Sequence, residues 1–562
     1  MWDQETVLYT DLLRAYPVRP PEAVIRHEHP RSSDVFLETP VKPQTEQQED
    51  KSEVGAPVTS LKIMLTAQEA YPVLERAFLN ARTEINAGFR VFDPGTPLYS
   101  DEAREIGCDW FDLLVHTLRR GVSIRFVISD FDPIGAPHLH RLSSRTRRQM
   151  IAAQELAGAG TLETVMDMHA ARVGLLPRLL FYPIARKRLG DLVRWINGLS
   201  LAPRRRFMQD ATRLRGLTKF DGQEVRCAPG LPNLYPASHH QKLAVFDRET
   251  LYIGGLDLNE RRYDTLQHAR SAEDTWYDLQ VLACGPVVTA ANAHLNNFID
   301  VISGAKPPSP AVPGFLRTLS SGRVGSIIYM SPRTRVREIE DAHLRHISKA
   351  EDLIYLETQF FRQVKLARAL AKRAKACPNL RLILILPAAP QGAAFSGHMG
   401  SDVKFGEYLQ TRCLRILRRA FGADRLIVAS PVQQRADDSD GRDTLAGSPL
   451  IYVHAKLSIF DDHAAIVSSA NLNGRSMRWD TEAGLELTNA AHVGALTNRA
   501  MRHWVPDTGD GNHAARFEHW ATVVAANAKA APEDRNGFLV PYDAAPARDA
   551  AMAVPGMPDE LV

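Results

Sequence analysis

Ile451-Tyr-Val-His454-Ala-Lys456-Leu-Ser-Ile-Phe-Asp461 alternates apolar and polar residues as far as Ile459, and His240-Gln-Lys242-Leu-Ala-Val-Phe-Asp247 repeats its H-x-K-x4-D spacing in the first half of the chain. In 562 residues with 19 His, one chance match is expected about 0.03 times, so the pair marks a repeated unit. The alternation predicts a strand in each copy, with His and Lys two residues apart on one face and apolar partners directed into a core. That face suits a phosphate. An imidazole can attack phosphorus or give up a proton near neutral pH, and an ammonium beside it neutralises phosphoryl oxygens.

Both copies continue alike. After Asp247 come Leu251-Tyr-Ile-Gly254-Gly255-Leu-Asp257, and after Asp461 come Ala465-Ile-Val-Ser468-Ser469-Ala-Asn471-Leu-Asn473. Small residues at such a turn admit backbone N–H groups to an anion, and an Asn amide adds a donor. Asp257, Ser469 and Asn471 are therefore candidate substrate contacts. Gln359, at a strand end, either reaches the cleft or serves as a buried amide in the sheet.

The duplication extends upstream of each motif. A helical stretch from Gln68 to Arg82 leads to the strand Glu84 to Phe92, a helix Trp110 to Arg120 and the strand Val122 to Ile128. In the second half, a helix Ala342 to Ala350 leads to the strand Leu353 to Phe361, a helix Val364 to Ala376 and the strand Leu380 to Leu386. Alternating strands and helices, with continuous apolar runs such as Leu380 to Leu386, predict α/β layers around a sheet covered on both faces. The expected molecule is a pseudo-dimer of two related α/β lobes, with the histidines sharing one cleft at the interface. Its segments are an N-terminal extension and linker (1–59), a first lobe (60–310) with an insertion (138–237), a second lobe (320–525) and an irregular C-terminal tail (526–562).

These residues resemble the phospholipase D superfamily of double-HKD phosphodiesterases, and within it the phospholipase D branch. The resemblance also rests on Trp276-Tyr-Asp278, Ile354-Tyr-Leu-Glu-Thr-Gln359, and Asn471-Leu-Asn-Gly-Arg475-Ser476 with Glu482, and it spans residues 60–525. Ser468-Ser469 stands where Gly-Ser is usual. The resemblance implies that His240 attacks to form a phosphohistidine and that His454 protonates the departing alcohol, then activates water. It also implies that Asp278 and Glu482, each downstream of its own motif histidine, fix the far nitrogens of the two rings. Lys242 and Lys456 then bind phosphate in place of a cation, so neither metal nor cofactor is expected. Asp247 and Asp461 complete the motif, but they lie five residues beyond the lysines on the opposite strand face, which favours a structural hydrogen-bonding role. His239 should point away from the cleft.

Composition narrows the substrate. With 68 Lys+Arg against 65 Asp+Glu, the net charge of +3 gives no footprint for a polyanion, so no nucleic acid is expected. Arg172 to Arg206 holds nine basic residues and one acid among leucines and aromatics, which suits either a phospholipid surface or an amphipathic insertion packed on the first lobe. Five dispersed cysteines give no disulfide framework, no basic run leads into a long apolar core as in a secretory signal, and no apolar run approaches a span. The expectation is a soluble, monomeric phospholipase D, with a cytoplasmic location, a membrane-peripheral one and non-classical secretion all left open. A phosphatidyl transferase of the cardiolipin synthase type and a nuclease remain the alternatives.

Overall fold

The computed structural model describes residues 56–561 apart from 324, 326, 398 and 510. The expected N-terminal extension and linker therefore lies almost wholly outside the described residues.

The first lobe opens with β1 (Ser60–Leu65) and α1 (Thr66–Asn80), followed by β2 (Glu84–Phe89), α2 (Trp110–Arg119), β3 (Ser123–Ser129), α3 (Pro137–Ala157) and β4 (Thr161–Asp167). An insertion carries α4 (Leu175–Gly198) and α5 (Leu201–Asp210) before β5 (Leu243–Phe246), β6 (Thr250–Gly254), β7 (Leu279–Cys284) and α6 (Val287–Ser303). The second lobe contains β8 (Phe315–Ser321), β9 (Arg333–Arg337), α7 (Glu338–Lys349), β10 (Leu353–Thr358), α8 (Val364–Ala376), β11 (Arg381–Ile385), α9 (Ser401–Phe421) and β12 (Leu426–Pro431). It closes with β13 (Lys456–Phe460), β14 (Ala464–Ser468), β15 (Glu482–Leu487), α10 (Ala490–Trp504), α11 (His513–Asn527) and β16 (Leu539–Pro541).

The sheet orders show the duplication. The first sheet runs β1-β7-β6-β5-β2-β3-β4, and the second runs β8-β15-β14-β13-β10-β11-β12 with β9 and β16 added at its two edges. In each lobe three parallel strands joined through helices continue into antiparallel hairpins that include the motif strand. Local chemistry sets the boundaries. Asp109 caps α2 by accepting hydrogen bonds from the N–H groups of Phe111 and Asp112, and Gly121 follows the helix with φ of 87°. Leu382 to Ile385 are buried throughout, as expected of a parallel strand covered on both faces.

The inner faces of both sheets feed one apolar cluster, joining Leu243, Val245 and Ile253 to Leu457, Ile459 and Val467 with α6, α10 and α11. Separate clusters lie under the outer helices of each lobe. The two-lobed α/β architecture read from the sequence is therefore present, with a continuous core across the seam.

Three segment boundaries need correction. The insertion was expected over 138–237, but α3 and β4 are integral to the lobe and match α9 and β12, so the added part begins after β4. The edge strand Thr-Leu-Glu-Thr-Val-Met-Asp is only half-buried and polar, which hides it from an apolar-run criterion. The second lobe starts at β8, before residue 320. The tail expected to be irregular instead supplies β16, which pairs antiparallel with β12 through Ala429 and Pro541.

The motif aspartates lie outside the cleft. Asp247 and Asp461 occupy left-handed turns at φ of 50° and 48°, conformations that Asp tolerates better than most residues. Asp247 accepts the N–H groups of Arg82, Thr83 and Glu84; Asp461 accepts those of Glu351, Asp352 and Leu353 at 2.8, 3.0 and 2.7 Å. Each clamps the start of the central strand beside it. Burial opposes ionisation of Asp247, but its backbone and Thr83 hydrogen bonds outweigh that and hold the carboxyl below its usual value. The stability this adds is present above the unfolded pKa and lost as pH falls through the lower native one. Asp461→Ala is expected to cost about 2–3 kcal/mol in urea unfolding, with turnover of the folded fraction nearly unchanged.

Candidate active site

Each motif histidine sits where a strand begins, held by a parallel bridge to the other lobe. His239 bridges Thr481, and Tyr277 bridges Val453. The backbone bonds correspond pair by pair: His240 N–H donates to Thr481 O at 2.9 Å, and His454 N–H to Tyr277 O at 2.7 Å. The segment entering each motif therefore lies along the segment that carries the other lobe's carboxylate.

The carboxylates pair across the lobes, against their order in the chain. Glu482 approaches His240 Nδ1 at 3.0 Å, and Asp278 approaches His454 Nδ1 at 2.5 Å. The two motifs face one seam as a consequence. His240 is 8% exposed and His454 2%, so both rings are largely shielded from solvent.

The two ends of the site differ. His240 Nδ1 also lies 3.1 Å from the carbonyl oxygen of Ser469; a carbonyl only accepts, so Nδ1 carries a hydrogen and the neutral ring keeps its lone pair on Nε2. Burial pushes the Glu482 carboxyl up to about 8, against the pull of Lys242 and with a further push from Asp480. At neutral pH it is therefore mostly uncharged. His454 instead packs against the Trp276 ring, with centres 4.5 Å apart and planes tilted by 34°, and the other contacts of that ring include the Arg262 guanidinium 3.6 Å from its centre. Trp276 and Asp480 occupy equivalent positions, each two residues before the carboxylate, and Asp480 accepts the Ser238 N–H at 2.7 Å and pairs with Arg475. Roles for Trp276, Arg262 and Asp480 escaped the sequence reading, although aligning Trp276-Tyr-Asp278 with Asp480-Thr-Glu482 exposes the asymmetry.

The lysines lie beside their histidines. Lys242 Nζ donates to the His240 carbonyl at 2.6 Å and is 3.8 Å from Asp257. Lys456 Nζ is 2.8 Å from His454 Nδ1 and donates to the His454 carbonyl. Of the other candidate contacts, Asp257 Oδ1 accepts the Val91 N–H, Ser469 Oγ donates to Glu482, and Gln359 Nε2 donates to the Tyr452 hydroxyl at 3.0 Å as a buried amide. Asn471 Oδ1 is buried without a hydrogen-bond partner among the described residues. His239 bonds Asp167 and Thr481 and packs on Phe298, away from its neighbour's partners.

The departure at Ser468-Ser469 has a packing cause. Gly254 faces Gln280, and a Cβ there would meet Gln280 Oε1 at 2.2 Å; in the second lobe Ser468 faces Gly484, where the bulk is exchanged across the strand pair. A Cβ on Gly255 would meet Asp278 Oδ1 at 2.1 Å, whereas the equivalent Ser469 has room to bond Glu482.

Glu482 gives a pH test. Its folded pKa lies above the unfolded value, so the native state holds an extra proton; the associated stability is complete below about pH 4.5 and declines as pH rises through about 8. Glu482→Gln stays neutral. Its stability relative to wild type should therefore improve between these limits, as urea unfolding at the two ends of the range would measure, and a constant difference would contradict the assignment.

A family described as cardiolipin synthase, PLD-like domain, matches residues 343–504. Phospholipase D alpha 3 of Arabidopsis thaliana is 21% identical over 46% of this chain and 46% of its own length, and phospholipase D alpha 2 of Oryza sativa subsp. japonica is 23% identical over 46% and 47%. The chain spans about half the length of the curated relatives it matches. The phosphatidylserine synthase of Haemophilus influenzae Rd KW20 superposes with a TM-score of 0.45 at 12% identity, over 79% of this chain and 86% of that one. With a His-Lys pair on each half of a duplicated sheet and a family match across the second lobe, sequence and comparisons together support a place in the phospholipase D superfamily.

Proposed function

We propose that the protein is a phospholipase D, cleaving glycerophospholipids such as phosphatidylcholine to phosphatidate and the headgroup alcohol. The observation that carries this reading is the unequal setting of two histidines, each held at Nδ1 from the opposite lobe. His240, hydrogen-bonded to a carbonyl and a neutral acid, keeps a nucleophilic Nε2. That atom attacks phosphorus, and the bond to the headgroup oxygen breaks as His454 delivers its Nε2 proton there. Asp278 fixes the His454 ring and stabilises its imidazolium. Water, losing a proton to His454, then displaces His240 and releases phosphatidate. Lys242 and Lys456 supply positive charge to the phosphoryl oxygens.

Phosphatidyl transfer is the second reading, favoured by the description of the family matched at 343–504. It differs only in the acceptor, an alcohol in place of water. Incubation with mixed phospholipid vesicles, with and without ethanol, tests both. Phosphatidate without ethanol and phosphatidylethanol with it are the expected products. Cleavage of DNA in preference to any phospholipid would overturn the proposal.

A further inference from the structure

The insertion resolves the two options left by its sequence into two halves of one helix. The C-terminal half of α4 buries Leu189, Leu192, Val193 and Ile196 against α5 and Val225. The N-terminal half does the opposite. Leu175, Leu176, Leu179, Leu180 and Ile184 are exposed, Leu180 to 73%. A loop from the second lobe joins them: Gly174 N–H donates to Tyr329 O and Leu176 N–H to Ile327 O, both at 2.8 Å, and Ile327, Ile328 and Tyr329 are exposed as well. These eight side chains are the majority of the thirteen large exposed apolar residues among the described ones, so the patch is a concentration and not the usual scatter.

Its base rests on the catalytic segments. Val173 N–H donates to Leu234 O at 2.9 Å, and Met330 packs with Ala237 and Trp479. Those two residues precede Ser238-His239-His240 and Asp480-Thr481-Glu482. Cations flank the patch along the chain, Arg172 and Arg178 at its start and Arg186, Lys187 and Arg188 just past Ile184. Arg172 is exposed, Arg178 is tied by its guanidinium to the Leu231 and Pro232 carbonyls, and Arg323 lies 4.4 Å from the Tyr329 ring.

We propose that this two-part patch, the first half of α4 with the 327–329 loop, seats the protein on an anionic phospholipid bilayer with the site opening towards the lipid. The aliphatic side chains enter the level of the acyl boundary while the arginines meet lipid phosphates. The inference rests on the phospholipid reading of the active site, and it assigns the surface that brings substrate to histidines which are almost wholly buried. Apolar side chains from two lobes abutting at one spot, bordered by Arg172, Arg178 and Arg323, match a bilayer better than an acidic or purely apolar protein partner.

Vesicle sedimentation with the full chain provides the test, using phosphatidylcholine alone and an equimolar mixture with phosphatidylglycerol. Leu176→Asp/Leu180→Asp, and independently Ile327→Ser/Ile328→Ser, should each weaken binding to the mixed vesicles about tenfold or more. Hydrolysis of soluble bis(p-nitrophenyl) phosphate should be unchanged in both, which also reports that the fold is intact. Wild type should bind the mixed vesicles more tightly than phosphatidylcholine alone. Undiminished vesicle binding by both variants overturns the proposal. So does a wild-type dimer in light scattering that becomes monomeric in either variant, because the patch then seats a second copy of the chain. Wild-type binding lost in the variants, without any phospholipid cleavage, would keep the docking surface and reject the phospholipase reading.

Discussion

His240→Ala and His454→Ala are each expected to lower hydrolysis of an unactivated phosphodiester about ten-thousandfold, with circular dichroism unchanged. One change removes the attacking atom, and the other removes the proton donor and second-step base. The pair works as a unit, so the double variant should lose little beyond either single one. Steady-state release of choline from phosphatidylcholine measures this directly. Retention of more than a tenth of wild-type activity by either variant would sink the two-histidine mechanism.

The second large effect separates the two roles and checks the crossed carboxylates together. With a p-nitrophenyl ester the leaving group needs no acid, so His454→Gln should give a burst of p-nitrophenol and then stall with phosphate on His240, because water lacks its base. His240→Gln should give neither burst nor adduct. Asp278→Asn, acting from the first lobe on the second lobe's histidine, should behave as a milder His454→Gln: slowed about a hundredfold or more on a lipid, yet still competent for the burst. If Asp278→Asn instead abolished the burst, pairing within a lobe would be restored. Label recovered on a peptide containing His454 would exchange the two roles, and a rapid quench that detects no adduct would favour direct attack by water.

Local pattern carried much of this into the sequence. Val364–Ala376 reads as a helix from its 3.6-residue apolar spacing, and Leu380 to Leu386 as a covered strand from its unbroken apolar run; both are present, the strand one residue shorter at each end. The edge strand Thr161–Asp167 was missed because half-buried positions filled by Thr and Glu lack that contrast. The tail strand Leu539–Pro541 was missed for a different reason: three residues joining a sheet edge leave almost no periodicity. The motif residues were legible because phosphate chemistry constrains spacing along one strand face. Which carboxylate serves which histidine was not, since that depends on how two lobes pack. The patch on α4 was half legible: the helix shows in its composition, but Ile327 to Tyr329 lie far away in the chain, and only the fold brings them beside Leu176.

The crossing of Asp278 and Glu482 also turns the seam into a checkpoint on assembly. A lobe produced alone would carry a motif strand, a histidine and a lysine, yet its imidazole would lack the acid that belongs to it. In the proposed mechanism, turnover therefore begins only when both halves have folded and docked. A substitution that loosens Tyr277 against Val453 or His239 against Thr481 would accordingly show first as altered proton transfer, before either half loses its own sheet.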